Sequence, residues 1–511
     1  MNYSKRNIIL LTAALGNALV SINATLINNG LSAISNDLKV ELTTSQWIVT
    51  SYLLAMAAIL PVSGYMTARF GPQRFFLLSI SIFTFSSLLC GLSEDAGFLV
   101  LFRFMQGIGG GGLLAVSQTI ALTPFEPHER AAATTTLNLP GLAAPVFGPL
   151  LGGWLTDNFN WPSLFFINVA VGLVALLLTL KFIPDERYQN NLGIRLDVIG
   201  LVFTLLGIVL VIYAFAVVNQ VNPASRTVAN PSGAVYGWSY WQFWACAGSG
   251  ILILTGVIIY ELFFTTYPLV DLRLYKDHNF RVSSFLIWSI IVLIHATFIL
   301  LPIYFQRVHQ PIFSATESGM LMVSQGVGML LGMITGNKLY NRFGSRLPVG
   351  LGLLLTGLGM WQSGRLQPDS EGSSILPWLF STGLGLGLAT LPVTTQALQH
   401  LNGVALANGT SLFIATRQIF GSLGTAVVTS LLVLFSSSFI AQTTSQNAPG
   451  VALTSRQLQE LNALAGTSAN NTVFTLLAFG CLLSLPLVFM LPVPFKPDKG
   501  NLLEKEMEVL S

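Results

Sequence analysis

Long apolar stretches alternate with short polar segments along almost the whole chain. Fourteen of them are long enough for a helix, rising 1.5 Å per residue, to cross the roughly 30 Å hydrocarbon core of a bilayer. The pattern predicts an all-α polytopic membrane protein with 14 transmembrane helices. We place the predicted spans at residues 8–28, 46–67, 75–93, 98–122, 131–155, 161–182, 196–217, 240–262, 281–305, 316–337, 347–363, 376–398, 406–436 and 472–493.

Composition and charge agree with a membrane location. Of 511 residues, 52% are hydrophobic and only 9% are charged, which gives more apolar surface than one soluble core could bury. With both termini in the cytoplasm, the 24 Lys and Arg residues divide into 17 inside, 5 outside and 2 within spans. Because positive charge concentrates in cytoplasmic loops, this division supports an even number of spans. The net charge of +3 gives no reason to expect a nucleic-acid partner.

The predicted span at 131–155 is rich in glycine and proline. Each interior Gly costs a soluble helix about 1 kcal/mol and each Pro about 3 kcal/mol, whereas membrane helices tolerate both where backbones pack closely. Four of these residues, at i, i+4, i+7 and i+11, fall within an arc of about 80° and predict a groove for another helix. An ordinary small-residue packing helix is the alternative. The motif consists of Gly141, Pro145, Gly148, Pro149, Gly152 and Gly153.

Two features recur at matching intervals in the two ends of the chain. A turn with two cations at 64–74 recurs at 336–346, and a glycine-rich helical segment at 107–112 recurs at 383–387. Such an internal repeat is typical of transporters built from two pseudo-symmetric bundles. We therefore predict a six-helix bundle at 1–183, two extra transmembrane helices with linkers at 184–280, and a second six-helix bundle with a tail at 281–511.

The two recurring turns form a candidate cytoplasmic gate. Helix-end and ion contacts there would hold the halves together on the cytoplasmic side. The alternative is that their cations only set the topology. The gate residues are Gly64, Arg69, Gly71, Arg74, Arg342 and Arg346.

Several motifs in this order resemble the major facilitator superfamily, in particular its fourteen-helix drug:proton antiporter branch of the EmrB/QacA type. The motifs are Trp47–Tyr52 leading to Pro61, Arg103–Gly107, the glycine–proline motif, Phe165–Asn168, Pro268–Leu274 and Arg417–Gly424. The resemblance implies the major facilitator fold and alternating access, with proton-driven export of small amphipathic compounds across a bacterial inner membrane. In a double-membraned bacterium it also implies a periplasmic adaptor (membrane fusion) protein, for which a predicted polar outside loop at about 436–470 is one possible contact.

The chain departs from the family pattern at three points. Asn23-Ala-Thr25 stands where the family usually has Asp-x-Thr in its first span, Ala68 replaces an acid before Arg69, and Ala170 replaces the proline of an Asn-x-Pro motif. The first departure removes a carboxylate used for cation recognition and proton coupling. We therefore expect neutral or anionic substrates rather than dications.

Few ionisable groups lie within the predicted spans, where a charge costs at least about 2.5–3.5 kcal/mol. Arg103, His295 and Asn23, which replaces the usual acid, are the candidates for proton coupling. A structural role for Arg103 and a neutral, hydrogen-bonded His295 are equally open alternatives. Arg417 shares a helix face with Gly421 and Gly424, and its span corresponds to the glycine–proline span in the repeat. We therefore predict a gating or interface role for these three residues, and substrate contact by Arg417 is the alternative.

Polar side chains along the first span predict a wet cavity. They lie within an arc of about 80° on one helix face, and such a stripe in lipid normally faces water. Hydrogen bonding between helices is the alternative. The candidate cavity residues are Asn17, Ser21, Thr25 and Asn28, with Gln118, Asn138 and Gln396 from other spans.

The sequence favours a transporter over an enzyme. It has no P-loop, no nucleophile–base pair and no metal-ligand cluster, and Cys90, Cys246 and Cys481 fall inside predicted spans, so we expect no metal, cofactor or disulfide. The leading hypothesis is a multidrug-type secondary exporter that exchanges its substrate for protons. The alternative is a facilitator or importer of the same fold for an anionic or neutral small molecule.

Overall fold

The computed structural model describes residues 3–40, 42–125, 130–183, 197–218, 236–238, 240–265, 272–401, 403–447 and 455–491. Within these ranges the chain forms fourteen α-helices, a 3-10 helix at Leu272–Lys276 and a π-helical turn at Tyr304–Val308. Each α-helix overlaps one predicted span. The helices are α1 (Tyr3–Asp37), α2 (Leu42–Phe70), α3 (Pro72–Gly91), α4 (Ala96–Leu122), α5 (Arg130–Phe159), α6 (Ser163–Phe182), α7 (Val198–Val218), α8 (Trp241–Phe263), α9 (His278–Ile303), α10 (Ala315–Phe343), α11 (Arg346–Ser363), α12 (Gly372–Leu398), α13 (Gly403–Asn447) and α14 (Ser455–Met490).

The predicted all-α membrane fold is confirmed. Eleven helices in the described ranges are long and apolar enough to cross a bilayer. The three that fall short of this criterion are α2, α5 and α11; α5 carries three interior prolines, and α2 has an apolar stretch of its own at Trp47–Leu60. That all fourteen helices cross the membrane stays a prediction.

Polar caps and left-handed glycines fix several helix ends. Asp95 caps α4 by accepting hydrogen bonds from the backbone N–H groups of Gly97 and Phe98, at 2.8 and 3.1 Å. Gly71 between α2 and α3 and Gly344 between α10 and α11 have φ angles of 82° and 79°, which favour glycine. The two recurring turns of the sequence therefore share one backbone conformation.

The helices form two halves, each with its own hydrophobic core. One core contains buried side chains only from residues 9–183, in α1 to α6, and the other only from residues 280–491, in α9 to α14. α7 and α8 contribute to neither core. They pack through small clusters that include Leu54 of α2 and Ala426 of α13.

The predicted polar loop at 436–470 is wrong over most of its length. α13 continues to Asn447 and α14 begins at Ser455. Leu461, Ala465 and Ala469 are buried at helical spacing, so this part of α14 packs one face against its own half. The many Ser, Thr, Asn and Gln residues elsewhere in 436–470 lower the average apolarity of the segment and conceal this periodicity.

Candidate functional site

α5 packs through its bare backbone between two other helices. A Cβ on Gly148 or Gly152 would collide with atoms of α1, and a Cβ on Gly153 would collide with the Ala315 carbonyl oxygen in α10. Gly141 also lies against α1, on the Ser21 side. Because any larger residue would separate these backbones, the glycines set the helix spacing.

α10 presents glycines opposite the prolines of α5. A Cβ on Gly319 would collide with the Pro149 carbonyl oxygen, and a Cβ on Gly326 would lie 2.5 Å from the Pro145 carbonyl oxygen. The glycine–proline motif therefore faces α1 and α10, not lipid. We call this contact between the two halves the α5–α10 seam, formed by Pro145, Pro149 and Gly153 with Ala315, Gly319 and Gly326.

Side chains of α1 hold α5 from the other side. Three side chains of α1 donate hydrogen bonds to backbone carbonyls of α5. Asn17 Nδ2 donates to the Leu137 carbonyl at 2.8 Å, Thr25 Oγ1 to the Ala144 carbonyl at 3.1 Å, and Asn29 Nδ2 to the Pro149 carbonyl at 2.7 Å. Asn17 and Thr25 belong to the polar stripe of the first span. These two bonds are of the interhelical kind that the alternative interpretation of the stripe describes.

The remaining candidate cavity residues have different settings. Ser21 and Gln118 are half-buried, whereas Asn28 is buried and its Oδ1 has no hydrogen-bond partner among the described residues. Gln396 is buried and accepts a long hydrogen bond of 3.5 Å from the Tyr340 hydroxyl. The side chain of Asn138 lies outside the described residues.

An acidic side chain joins the halves at one end of the α5–α10 seam. The carboxylate of Asp157, at the end of α5, accepts hydrogen bonds from the backbone N–H groups of Ala315 at 3.2 Å and Thr316 at 2.6 Å. A carboxylate at a helix N-terminus is favoured by the helix dipole. A further bond between the halves runs from Gln306 Nε2, which donates to the Asn29 carbonyl at 3.1 Å. Sequence reasoning missed Asp157, because the helix that it caps begins 158 positions later in the chain.

Arg103 is fully buried within the first half. Its Nε donates to the Ile48 carbonyl at 2.9 Å and its Nη1 to Gln106 Oε1 at 2.5 Å, and Gln106 in turn donates to Ser87 Oγ at 2.6 Å. The guanidinium lies over the Tyr52 ring, with its Cζ 4.3 Å from the ring centroid. Among the described residues no acidic side chain pairs with it, and Nη2 has no partner.

Asn23 belongs to the surroundings of Arg103. It is buried, and its Oδ1 accepts a hydrogen bond from Asn168 Nδ2 at 2.9 Å. Its side chain also contacts Tyr52, the ring under Arg103. The structure therefore brings together two of the three candidates for proton coupling, with a neutral amide where the family usually has an acid.

His295 and Arg417 meet in the second half, where α9 packs against α13. The His295 ring lies against Gly421, where a Cβ would approach its Cε1 to 2.7 Å, and Gly424 packs on Val292. His295 Nδ1 lies 2.9 Å from the Ile291 carbonyl oxygen. Arg417 is half-buried, lies near enough to His295 for their charges to interact, and forms no hydrogen bond or ion pair with any described residue.

A second seam joins the halves through α2 and α13. Ser411 Oγ donates to the Leu60 carbonyl at 3.2 Å, and Ser422 Oγ donates to the Thr50 carbonyl at 3.5 Å. Arg417 and Gly421 lie on α13 between these contacts. The halves therefore meet along the α5–α10 seam and along this α2–α13 seam.

The candidate gate residues cluster at the two recurring turns. Arg69, Arg74 and Arg342 are exposed, while Arg346 Nε donates to the Leu491 carbonyl at 2.6 Å, within its own half. Gly64 lies within α2 and Gly71 at its end.

The family follows from comparison with known proteins. Residues 13–425 match the sequence profile of the Major Facilitator Superfamily. The chain belongs to this superfamily. It is therefore a multi-pass membrane transporter and not an enzyme, and the resemblance drawn from the sequence motifs is confirmed.

Curated relatives are named as drug or fatty-acid resistance proteins. The chain is 31% identical over 390 residues to the multidrug resistance protein B homolog of Mycobacterium tuberculosis, covering 76% of this chain and 68% of that one. It is 27% identical over 523 residues to the multidrug export protein EmrB of Escherichia coli, covering 97% of both. It is also 27% identical over 415 residues to the fatty acid resistance protein FarB of Neisseria gonorrhoeae, covering 80% of this chain and 77% of FarB.

A solved structure shares the fold. The crystal structure of a bacterial homolog of the human lysosomal transporter Spinster superposes with a TM-score of 0.62 at 15% identity, and the match covers 96% of this chain and 98% of the other. At this identity the likeness concerns the fold alone.

Proposed function

We propose that the protein exports small amphipathic compounds across the bacterial inner membrane in exchange for protons. The observation that carries this proposal is the α5–α10 seam, in which bare backbones of two separately cored halves touch. Such a contact lets two rigid bodies rock about a substrate site while excluding ions, as alternating access requires. The relatives named as exporters support the direction of transport.

The halves at 1–183 and 281–511 are the two rigid bodies that rock against each other, and the segment at 184–280 moves together with them. Both termini are cytoplasmic, which makes the Asp157 end of the α5–α10 seam the outer end. The Asp157 and Gln306 bonds hold that end closed, and the cations of the two recurring turns mark the inner end. Substrate then enters from the cytoplasm or the inner leaflet between the halves.

The charge within the second half sets the substrate preference. Arg417 is half-buried and has no counter-charge among the described residues, and an unpaired charge within the membrane is costly. Trp288 and Phe420, whose ring centroids lie 4.3 Å apart, provide an aromatic surface on the same two helices. A carboxylate or phosphate with an apolar tail would satisfy both features. This preference agrees with the relative named for fatty acid resistance.

Transport in lipid vesicles tests the function. Purified protein is reconstituted, and movement of dodecanoate is followed with the pH gradient in either direction and without a gradient. Coupled exchange predicts accumulation against the substrate gradient when the trans side is acidic. Accumulation that ignores the pH gradient would leave the alternative, a facilitator or importer of the same fold. A periplasmic adaptor is tested separately, by co-purification with a membrane fusion protein from the same host.

A further inference from the structure

Two acidic side chains lie close together at one end of the α7–α8 hairpin, next to Gly200. Glu261, in the last turn of α8, is only 4% exposed, and Asp197 immediately precedes α7. A Cβ on Gly200 would lie 2.5 Å from Asp197 Oδ2 and 3.2 Å from Glu261 Oε1. Both carboxyl groups therefore border the small space beside Gly200 that a methyl group would take.

Neither carboxyl group is neutralised by a described side chain. Asp197 Oδ1 accepts a hydrogen bond from the Gly200 backbone at 2.8 Å, but its Oδ2 is buried without a partner. Glu261 makes no hydrogen bond or ion pair with any residue that the structure describes. Other titratable or charged side chains lie on the hairpin and on the elements packed against it, and none of them bonds either acid. They are Tyr213, Cys246, Tyr260, Tyr52, Tyr65, Arg69, Arg417, Arg273, Tyr275 and Lys276.

A shared proton resolves the repulsion within this pair. Ionising Glu261 is costly, because its side chain is buried and a second negative charge would stand close to the Asp197 carboxylate. A metal ion would need more ligands, and the described residues contain no group of three His, Cys, Asp or Glu side chains that could hold one. We propose that Asp197 and Glu261 hold one exchangeable proton between them and form a proton-binding site of the transporter.

The hairpin is placed to pass a change of charge to the moving halves. Ile208 and Ile212 of α7 pack in one cluster with Leu54 of α2 and Ala426 of α13, so the hairpin spans the α2–α13 seam. Release of the proton leaves a second negative charge in the pair, which then separates or rehydrates and shifts the end of the hairpin. This inference rests on the proposed proton exchange, and it supplies the carboxyl group that Asn23 lacks.

Infrared difference spectroscopy of the full-length protein in lipid vesicles tests the site without using transport. Between acidic and alkaline pH, the wild type should lose the C=O band of a protonated carboxylic acid. The Asp197→Asn/Glu261→Gln double variant should lack that band. Gly200→Ala, which places a methyl group against both carboxyl groups, should shift it. Glu94→Gln removes an exposed acid and should leave it unchanged.

Three outcomes would overturn the assignment: no such band in the wild type, an unchanged band in the double variant, or removal of the band by NaCl at constant pH, which would indicate a cation site.

A transport experiment separates this inference from the proposed function. The double variant should move dodecanoate with no response to a pH gradient. A wild type that ignores the gradient but shows the band refutes the exchange and leaves the proton site, whereas a double variant that still responds refutes the site.

Discussion

The two arginines within the predicted spans have opposite surroundings. Arg103, in the first half, is fully buried, donates to Ile48 and Gln106, and lies over the Tyr52 ring. Arg417, in the second half, is only half-buried and makes no bond to a described residue. A charge bound by its own bundle stabilises that bundle, while a charge without a partner can bind something that comes and goes. We therefore propose a structural role for Arg103 and a role in substrate recognition for Arg417.

Removing Arg103 should have the largest effect, and on stability. Arg103→Ala leaves the Ile48 carbonyl and Gln106 without their donor and opens a cavity, so we expect a loss of about 3 kcal/mol in unfolding free energy. Thermal unfolding in detergent measures it. Arg417→Ala is the matched control and should change the stability by less than about 1 kcal/mol. Equal destabilisation by the two variants would erase the distinction between the arginines.

Removing Arg417 should instead weaken substrate binding. A hydrogen bond to a charged group is worth about 1.5–3 kcal/mol, so Arg417→Ala should weaken dodecanoate binding by about 10- to 100-fold. Calorimetry with the purified protein measures the affinity. Dodecanol has the same tail without the charge, and its affinity should not change. A matching loss for dodecanol would mean that Arg417 only shapes the site, and cation-selective binding by the wild type would refute an anion site.

Gly421→Ala should give the smallest effect. Its Cβ would press on the His295 ring, which can rotate aside, so the cost should not exceed about 1 kcal/mol. Because His295 lies beside Arg417, the change should alter dodecanoate affinity by less than about tenfold. It should not affect the hydrogen bonds of Arg103, which lie in the other half. Thermal unfolding and calorimetry on the same sample separate the two. A larger loss of stability would place Gly421 among the structural residues.

Much of the fold could be predicted because a membrane helix is recognisable from one contiguous apolar stretch of sequence. Apolar stretches placed each helix, and the glycine–proline motif predicted a side-chain-free face on α5. The error at 436–470 arose where polar residues outnumber a narrow buried stripe, of which Leu461 and Ala465 are part. Local apolarity cannot reveal a helix whose packing face is only a few residues wide.

The site could be predicted only as far as residue types. Arg103 and Arg417 both stand out as cations within spans, but the sequence cannot show that the Ile48 carbonyl, 55 positions from Arg103, accepts a hydrogen bond from it. For the same reason the sequence does not reveal that Asp157 caps α10 or that Glu261 lies close to Asp197. Which partners meet is decided by helix packing across the whole chain.

Locking the α5–α10 seam tests the central claim most directly. The Asp157 carboxylate reaches the Thr316 backbone nitrogen at 2.6 Å, so Asp157→Cys with Thr316→Cys places two thiols at the closed end, in a background where half-buried Cys246 is replaced by serine. Oxidation should stop dodecanoate transport in vesicles, a reductant should restore it, and neither single-cysteine variant should respond. Cross-linked protein that transports at the rate of the reduced protein would contradict rocking about this seam.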